Sequence, residues 1–465
     1  MKFARIALAL LSSLFIYSVA PAQTEIVPGK VIDGVAVSGA KDQSFSVYLP
    51  SNYDSKKKFP ILYAFDPGGR GKVAVNAFAE AAEKYGYIVV GSNDSRNGLD
   101  GSRLTPILRN LWEDTHTRFP IGEGRVIMAG FSGGARVASS MAYSCGCAFG
   151  VIGSGAAFSQ TVKVDEKLPF VFFGTAGYDD FNFQELRELD GRLSAAKVPF
   201  HINYFDGSHQ WLTKPLADQA LAWMELRAMK AGRRPKDDAF IEGMFAERLR
   251  NAEAQLAGRN FIEAASAFRG LVDDQTGLRD TSAAAAKLAA LLRSDDLKKA
   301  LRSEAEQFDE QQKKSAQLFG LAQMLERQES RADILNQLST VVDGLRSRSE
   351  GANDSPSRRV TRRILGGAYV GAIEGVSAIL ESGPKYENAL YLLSLADLMR
   401  PQDIQVSYLR AVAYAVLNDR KKAIESLDKA VKQGFKDADR VARDKRFDKL
   451  RGDEQFNKIL ASMKP

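Results

Sequence analysis

The 465-residue chain is 45% hydrophobic and 26% charged, an ordinary balance for a soluble globular protein, and its length fits two or three domains. Its formal charge of +7 is spread through a chain with 57 acidic residues, without a basic run or a recognition motif, so nucleic acid is not an expected partner. Weak attraction to anionic surfaces stays open.

The N-terminus reads as an export signal. Lys2 and Arg5 precede an apolar core from Ile6 to Tyr17, shorter than the ~20 residues of a spanning helix, and Ala20-Pro21-Ala22 fits a small-x-small cleavage pattern. Residues 1–22 are thus expected to be removed, leaving a secreted or periplasmic protein with no later transmembrane segment. No cysteine follows the cleavage site to carry a lipid.

Strand-like and helix-like stretches then alternate. Strands are expected at Ser44 to Leu49, Ile61 to Phe65, Tyr87 to Val90, Val126 to Ala129, Gly150 to Gly153, Phe170 to Phe173 and His201 to Phe205, with helices between the later ones. That pattern predicts a mostly parallel sheet covered by helices on both faces. After the second strand, Asp66-Pro67-Gly68-Gly69-Arg70-Gly71 forms a loop with unobstructed backbone N–H groups. It lacks the Lys-Ser/Thr ending of a phosphate-binding loop, so an oxyanion role for Gly68 is the better reading.

Gly130-Phe131-Ser132-Gly133-Gly134 directly follows the fourth strand and precedes a helical stretch. A serine at a tight strand-to-helix turn is lifted clear of the sheet, and flanking glycines permit backbone paths that side chains would block. Ser132 is the expected nucleophile, and the N–H of Gly133 the expected second oxyanion donor. Cys145 and Cys147, one residue apart, either pair in an oxidising compartment or stay as two buried thiols; a lone C-x-C lacks a second ligand pair, and no metal or cofactor is expected. Only about ten residues, Ser159 to Leu168, precede the sixth strand, too few for a lid, so the site is expected to be open, and any closure would have to come from the second half of the chain.

The sixth strand leads to Gly177-Tyr178-Asp179-Asp180, and the seventh to Asp206-Gly207-Ser208-His209. In a parallel sheet these carboxyl ends share one edge with Ser132. A serine hydroxyl needs an imidazole to take its proton, assigned to His209, and a carboxylate to hold the imidazole tautomer, assigned to Asp180, with Asp179 as the alternative. One of the two acids is expected to cap the following helix. His116 and His201 read as a helix-surface and a strand residue without partner motifs.

These residues resemble the α/β-hydrolase superfamily, in particular secreted esterases related to dienelactone hydrolases, feruloyl esterases and polyhydroxybutyrate depolymerases. Ser-Val-Tyr-Leu-Pro-Ser-Asn-Tyr-Asp at 46–54, the Asp-Pro-Gly-Gly-Arg-Gly loop, Gly-Phe-Ser-Gly-Gly and Gly-Ser-His-Gln-Trp look like their strand, oxyanion, elbow and histidine motifs. The resemblance spans roughly residues 40–230 and implies an α/β-hydrolase fold at 23–232 and ester hydrolysis through an acyl-enzyme. Asp66-Pro67 departs from the commoner His-Gly.

Lys230 to Lys236 reads as a linker, and residues 237–465 as a nearly all-helical domain. Ala257 to Phe268 and Tyr414 to Ala430 place small residues where paired helices pack closely, a tetratricopeptide-like pattern; a plain helical bundle is the alternative. Leu301 to Leu345 shows no clear repeat, and a polar linker is expected at Arg346 to Ser357. The expected function is an exported serine hydrolase acting on small-molecule or polymer-linked esters, with helical repeats available to a protein partner. A serine peptidase and a catalytically idle interaction protein are the competing readings.

Overall fold

The computed structural model describes residues 24–326, 331–350, 354–383 and 385–463. The expected leader, residues 1–22, lies outside them. Eight strands form one sheet: β1 (Val31–Val37), β2 (Ala40–Tyr48), β3 (Phe59–Phe65), β4 (Ile88–Ser92), β5 (Ile121–Phe131), β6 (Gly150–Ser154), β7 (Val171–Gly177) and β8 (Phe200–Phe205). The order is β1-β2-β4-β3-β5-β6-β7-β8, with β1/β2 and β2/β4 antiparallel and the remaining neighbours parallel.

β3 is apolar throughout because it is buried on both faces, as a central parallel strand must be. Its side chains alternate between two cores. Leu62 and Ala64 pack under helices α1 (Gly71–Tyr85) and α5 (Lys214–Lys230). Ile61, Tyr63 and Phe65 pack under α2 (Gly101–Arg118), α3 (Gly133–Cys145) and α4 (Phe183–Ala195). This is an α/β-hydrolase-like arrangement. β1 was not among the expected strands: Asp33-Gly34 interrupts its apolar pattern, and the structure absorbs the interruption as a register shift with Gly34 at φ +70°.

Beyond residue 237 the described chain is helical: α6 (Asp238–Ala257), α7 (Phe261–Gln275), α8 (Ser282–Arg293), α9 (Asp295–Glu326), α10 (Arg331–Ser349), α11 (Pro356–Ser382), α12 (Tyr386–Met399), α13 (Ile404–Val416), α14 (Arg420–Lys432), α15 (Ala438–Arg443) and α16 (Glu454–Ser462), with a short 3-10 helix at Lys445–Leu450. The two stretches with small-residue spacing are the helix-turn-helix pairs α6/α7 and α13/α14. Their turns pass through Arg259 and Asn418, both left-handed at φ +60° and +61°. Ala252, Ala264 and Ala265 in one pair, and Ala411, Ala415 and Ala423 in the other, are buried between the helices. The linker expected at Arg346 to Ser357 is shorter than read, since α10 runs to Ser349 and α11 starts at Pro356.

The two halves are joined by contacts. Arg233 donates to the Gly124 carbonyl (2.7 Å), and Arg234 pairs with Glu225 of α5. Leu226 and Met229 of α5 share a buried cluster with Ile241 of α6. Asp274 of α7, 1% exposed, accepts from Trp223 Nε1 (2.7 Å) and Arg248 (2.6 Å) and lies 3.3 Å from Arg227.

Among the described helices, one stretch, Pro356–Glu381 of α11, is long and apolar enough to cross a membrane by length and composition, which corrects the reading that no later segment reaches that size. Its Val360, Ile364 and Val376 are buried in the core of the helical half, and α11 packs on α9, α10 and α12. Cys145 and Cys147 are joined as a disulfide, with Gly146 at φ +59° between them.

Candidate active site

Ser132 stands at the end of β5 with φ +53° and ψ −121°, a conformation costly for a side-chain-bearing residue and typical of functional turns. The neighbouring glycines are required by close backbone approach. A Cβ on Gly130 would lie 2.1 Å from the Gly134 carbonyl oxygen, and one on Gly134 would lie 1.9 Å from that of Phe65. The turn is pinned by Ser132 N–H donating to Ser154 O at 2.8 Å.

The loops after β7 and β8 bring the other residues to Ser132. His209 Nε2 lies 2.9 Å from Ser132 Oγ, and His209 Nδ1 lies 2.9 Å from Asp180 Oδ1. A carboxylate only accepts, so Nδ1 carries the proton and Nε2 is the free base facing the serine. Asp180 is fully buried, and its Oδ1 also accepts from Asn182 N–H (2.8 Å), fixing the turn before α4; the N-cap of α4 is Asn182, so neither aspartate is the cap that the sequence suggested. The imidazole is held between Phe131 and Phe181, with ring centroids 4.6 and 4.1 Å away. Gly155 backs the pair: at φ +63°, a Cβ there would lie 2.9 Å from Asp180 Oδ2 and 3.1 Å from His209 Nδ1.

Asp179 turns away. Its Oδ2 lies 3.1 Å from Arg362 Nε of α11; burial raises its pKa, and Arg362 and Arg359 pull it back. His116 stacks on Trp112 at 3.9 Å, and His201 borders a cavity beside Arg248. Neither reaches Ser132 in any hydrogen bond or ring contact. That cavity, about 690 Å³, lies between β8, α5, α6 and α7, and Ser132 is not in its lining.

The oxyanion reading needs one correction. Gly68 N–H already donates to Asp66 Oδ1 at 2.8 Å. Asp66 is 1% exposed, and its carboxylate is held by Arg70 (2.7 and 3.0 Å) and by Trp211 Nε1 (2.8 Å), which fixes it toward the loop backbone. Gly133 N–H, at the first position of α3, has no intrahelical acceptor and points from the positive end of the helix.

One part of the site was not foreseen. α11 runs across the loops at this edge of the sheet: Arg359 pairs with Asp206 (2.9 Å), Arg362 with Asp179, Arg363 donates to Tyr178 O (3.0 Å), Gly367 abuts Phe181, and Glu374 accepts from Asn97 (3.2 Å). Asn97 in turn lies against Gly133, where a Cβ would be 1.9 Å from its Oδ1. The steps of three, four and seven residues put these contacts on one helical face.

No protein-family profile matches the chain, and no curated protein does. Among solved structures it is similar to an S-formylglutathione hydrolase from Staphylococcus aureus (17% identity, 42% of this chain and 96% of that one, TM-score 0.36). It is also similar to the feruloyl esterase module from Clostridium thermocellum (14%, 43% and 90%, 0.34) and to an esterase from Pyrobaculum calidifontis (12%, 43% and 85%, 0.35). What the site can do follows from its own geometry.

Proposed function

We propose that the chain is an exported serine hydrolase that cleaves carboxylic esters through an acyl-enzyme. The observation that carries this reading is the continuous chain Ser132 Oγ, His209 Nε2, His209 Nδ1, Asp180 Oδ1, with both links at 2.9 Å. His209 takes the serine proton as Oγ attacks the ester carbon, then gives it to the leaving alcohol; water repeats the sequence to release the acid. Gly133 N–H and the N-terminus of α3 stabilise the oxyanion. A strained turn at Ser132 favours an enzyme over an idle scaffold, since a purely structural role gives no reason to maintain it.

Fluorophosphonate labelling located to Ser132, with turnover of p-nitrophenyl esters and none of a peptide panel, is the expected result. Peptide cleavage would make the chain a peptidase, and absence of labelling would leave it a catalytically idle fold. The α6/α7 and α13/α14 pairs are proposed as tetratricopeptide-like units. Export is proposed from the leader at 1–22, and a mature N-terminus at Gln23 is its test.

A further inference from the structure

We propose that the cavity between α9, α11 and α12 is a substrate-binding chamber for esters that combine an apolar body with a free carboxylate, which Arg363 recognises. This rests on the serine hydrolase reading. The cavity measures about 470 Å³, within the range of small-molecule sites. Its α9 wall sets Leu318, Phe319 and Ala322 beside Gln311, Ser315 and Gln323. On the α11 side Gly371 leaves open space, while Gly367 and Gly375 let Phe181 and Leu392 pack close against the helix. Phe319 stands 66% exposed, leaving an apolar ring at the rim.

Phe181 ties this chamber to the serine site. It lines the cavity, and its other neighbour is the His209 ring at 4.1 Å. Neither Ser132 nor His209 lines the cavity, so Phe181 is the side chain past which an ester attacked by Ser132 would extend into it.

Arg363 supplies the chemical selectivity. It lines the same cavity and is 3% exposed, and among the described residues no carboxylate forms an ion pair with it, Asp179 and Glu304 acting on it only at longer range. Its guanidinium is already oriented: Nε donates to Gln311 Oε1 (2.8 Å), Nη1 donates to Tyr178 O (3.0 Å), and Cζ lies 4.7 Å over the Phe183 ring. Nη2, itself buried, has no hydrogen-bond partner among the described residues. A buried cation with a free donor is costly, and an anionic oxygen is the partner that removes the cost. A single free nitrogen suits one carboxylate oxygen.

The test compares two ester series in full-length protein. One series has p-nitrophenyl hemiesters of straight-chain dicarboxylic acids, and the other has acetate esters of carboxylated phenols; each is set against uncharged analogues of equal size. The expected result is a preference of about 10- to 100-fold in kcat/KM for the carboxylated member in at least one series. In Arg363→Met that preference falls to near unity. Gly371→Phe, whose Cβ would meet nothing within 4 Å, should fill the chamber and lower kcat/KM for long esters relative to acetate by tenfold or more. Equal rates for charged and uncharged esters, with Ser132 still labelled by fluorophosphonate, would overturn the chamber and leave the hydrolase intact. An unlabelled Ser132 would overturn the hydrolase reading itself.

Discussion

Asp179 and Asp180 are adjacent in the chain and face opposite partners: Asp180 Oδ1 lies 2.9 Å from His209, while Asp179 Oδ2 lies 3.1 Å from Arg362 in the helical half. Their replacement should therefore separate catalysis from docking. Asp180→Asn should lower kcat by on the order of 10³ or more, because the amide imposes the wrong imidazole tautomer. Asp179→Asn should cost far less and act through the contact with α11. Steady-state kinetics on the two variants decides it; the reverse ranking would reassign the acid.

Ser132→Ala and His209→Ala should each remove nearly all turnover while unfolding curves stay close to those of the parent. Combining them should cost little more than either alone, since the two act as a unit. Substantial residual turnover in either single variant would contradict the proposed roles.

Gly155 offers a test of the support behind the pair. Gly155→Ala forces a side chain into a left-handed position and toward both Asp180 and His209. Turnover should drop by roughly 10- to 100-fold, with a stability loss of about 1–3 kcal/mol. A neutral result would mean the carboxylate and imidazole have slack that the 2.9 Å contacts do not suggest.

How much of this was legible in the sequence depends on how local each cause is. The elbow could be read because its glycines answer to contacts between strand and helix ends that any such turn must make. The orientation of the Gly68 N–H could not, because it is set by Asp66, whose carboxylate is steered by Trp211, some 145 positions away. The choice between Asp179 and Asp180 has the same character, since Arg362 takes one of them out of competition. The helical character of residues 237–465 was visible, but not the path of α11 beside Ser132 and His209: the spacing of a helix tells which face is covered, never by what.

The His201 ring gives a pH prediction. Arg248 donates to its Nδ1, so the ring proton sits on Nε2 and is given to Asn203 Oδ1. Burial, reinforced by Arg248, pushes its pKa down from 6.5 to about 3. The unfolded chain then binds a proton between those values that the folded chain refuses. Stability from this group is complete above pH 6.5 and is lost as pH falls toward 3, at no more than about 1.4 kcal/mol per pH unit. Urea unfolding of His201→Gln should show a shallower acid decline than the parent; parallel declines would remove His201 as a cause.

Asp274 predicts how tightly the halves are coupled. Asp274→Ala leaves Arg227 and Arg248 without their shared carboxylate, at a cost of about 3–5 kcal/mol. The sequence alone suggests that residues 23–236 would fold independently. With Leu226 and Met229 packed on Ile241, that fragment should instead melt well below the full chain and expose apolar surface, measurable by dye binding. Equal melting temperatures would show that the halves are separable.

The path of α11 across the catalytic loops also sets a clock. The residues that pair with Asp179 and Asp206 are made about 150 positions after His209. At a synthesis rate of ~5–20 residues per second, the last strand is made roughly eight to thirty seconds before the helix that spans this edge of the sheet. On the proposed reading, a nascent chain in that interval holds Ser132, His209 and Asp180 without the α11 surface proposed to select among esters, so competence to react would precede the ability to discriminate.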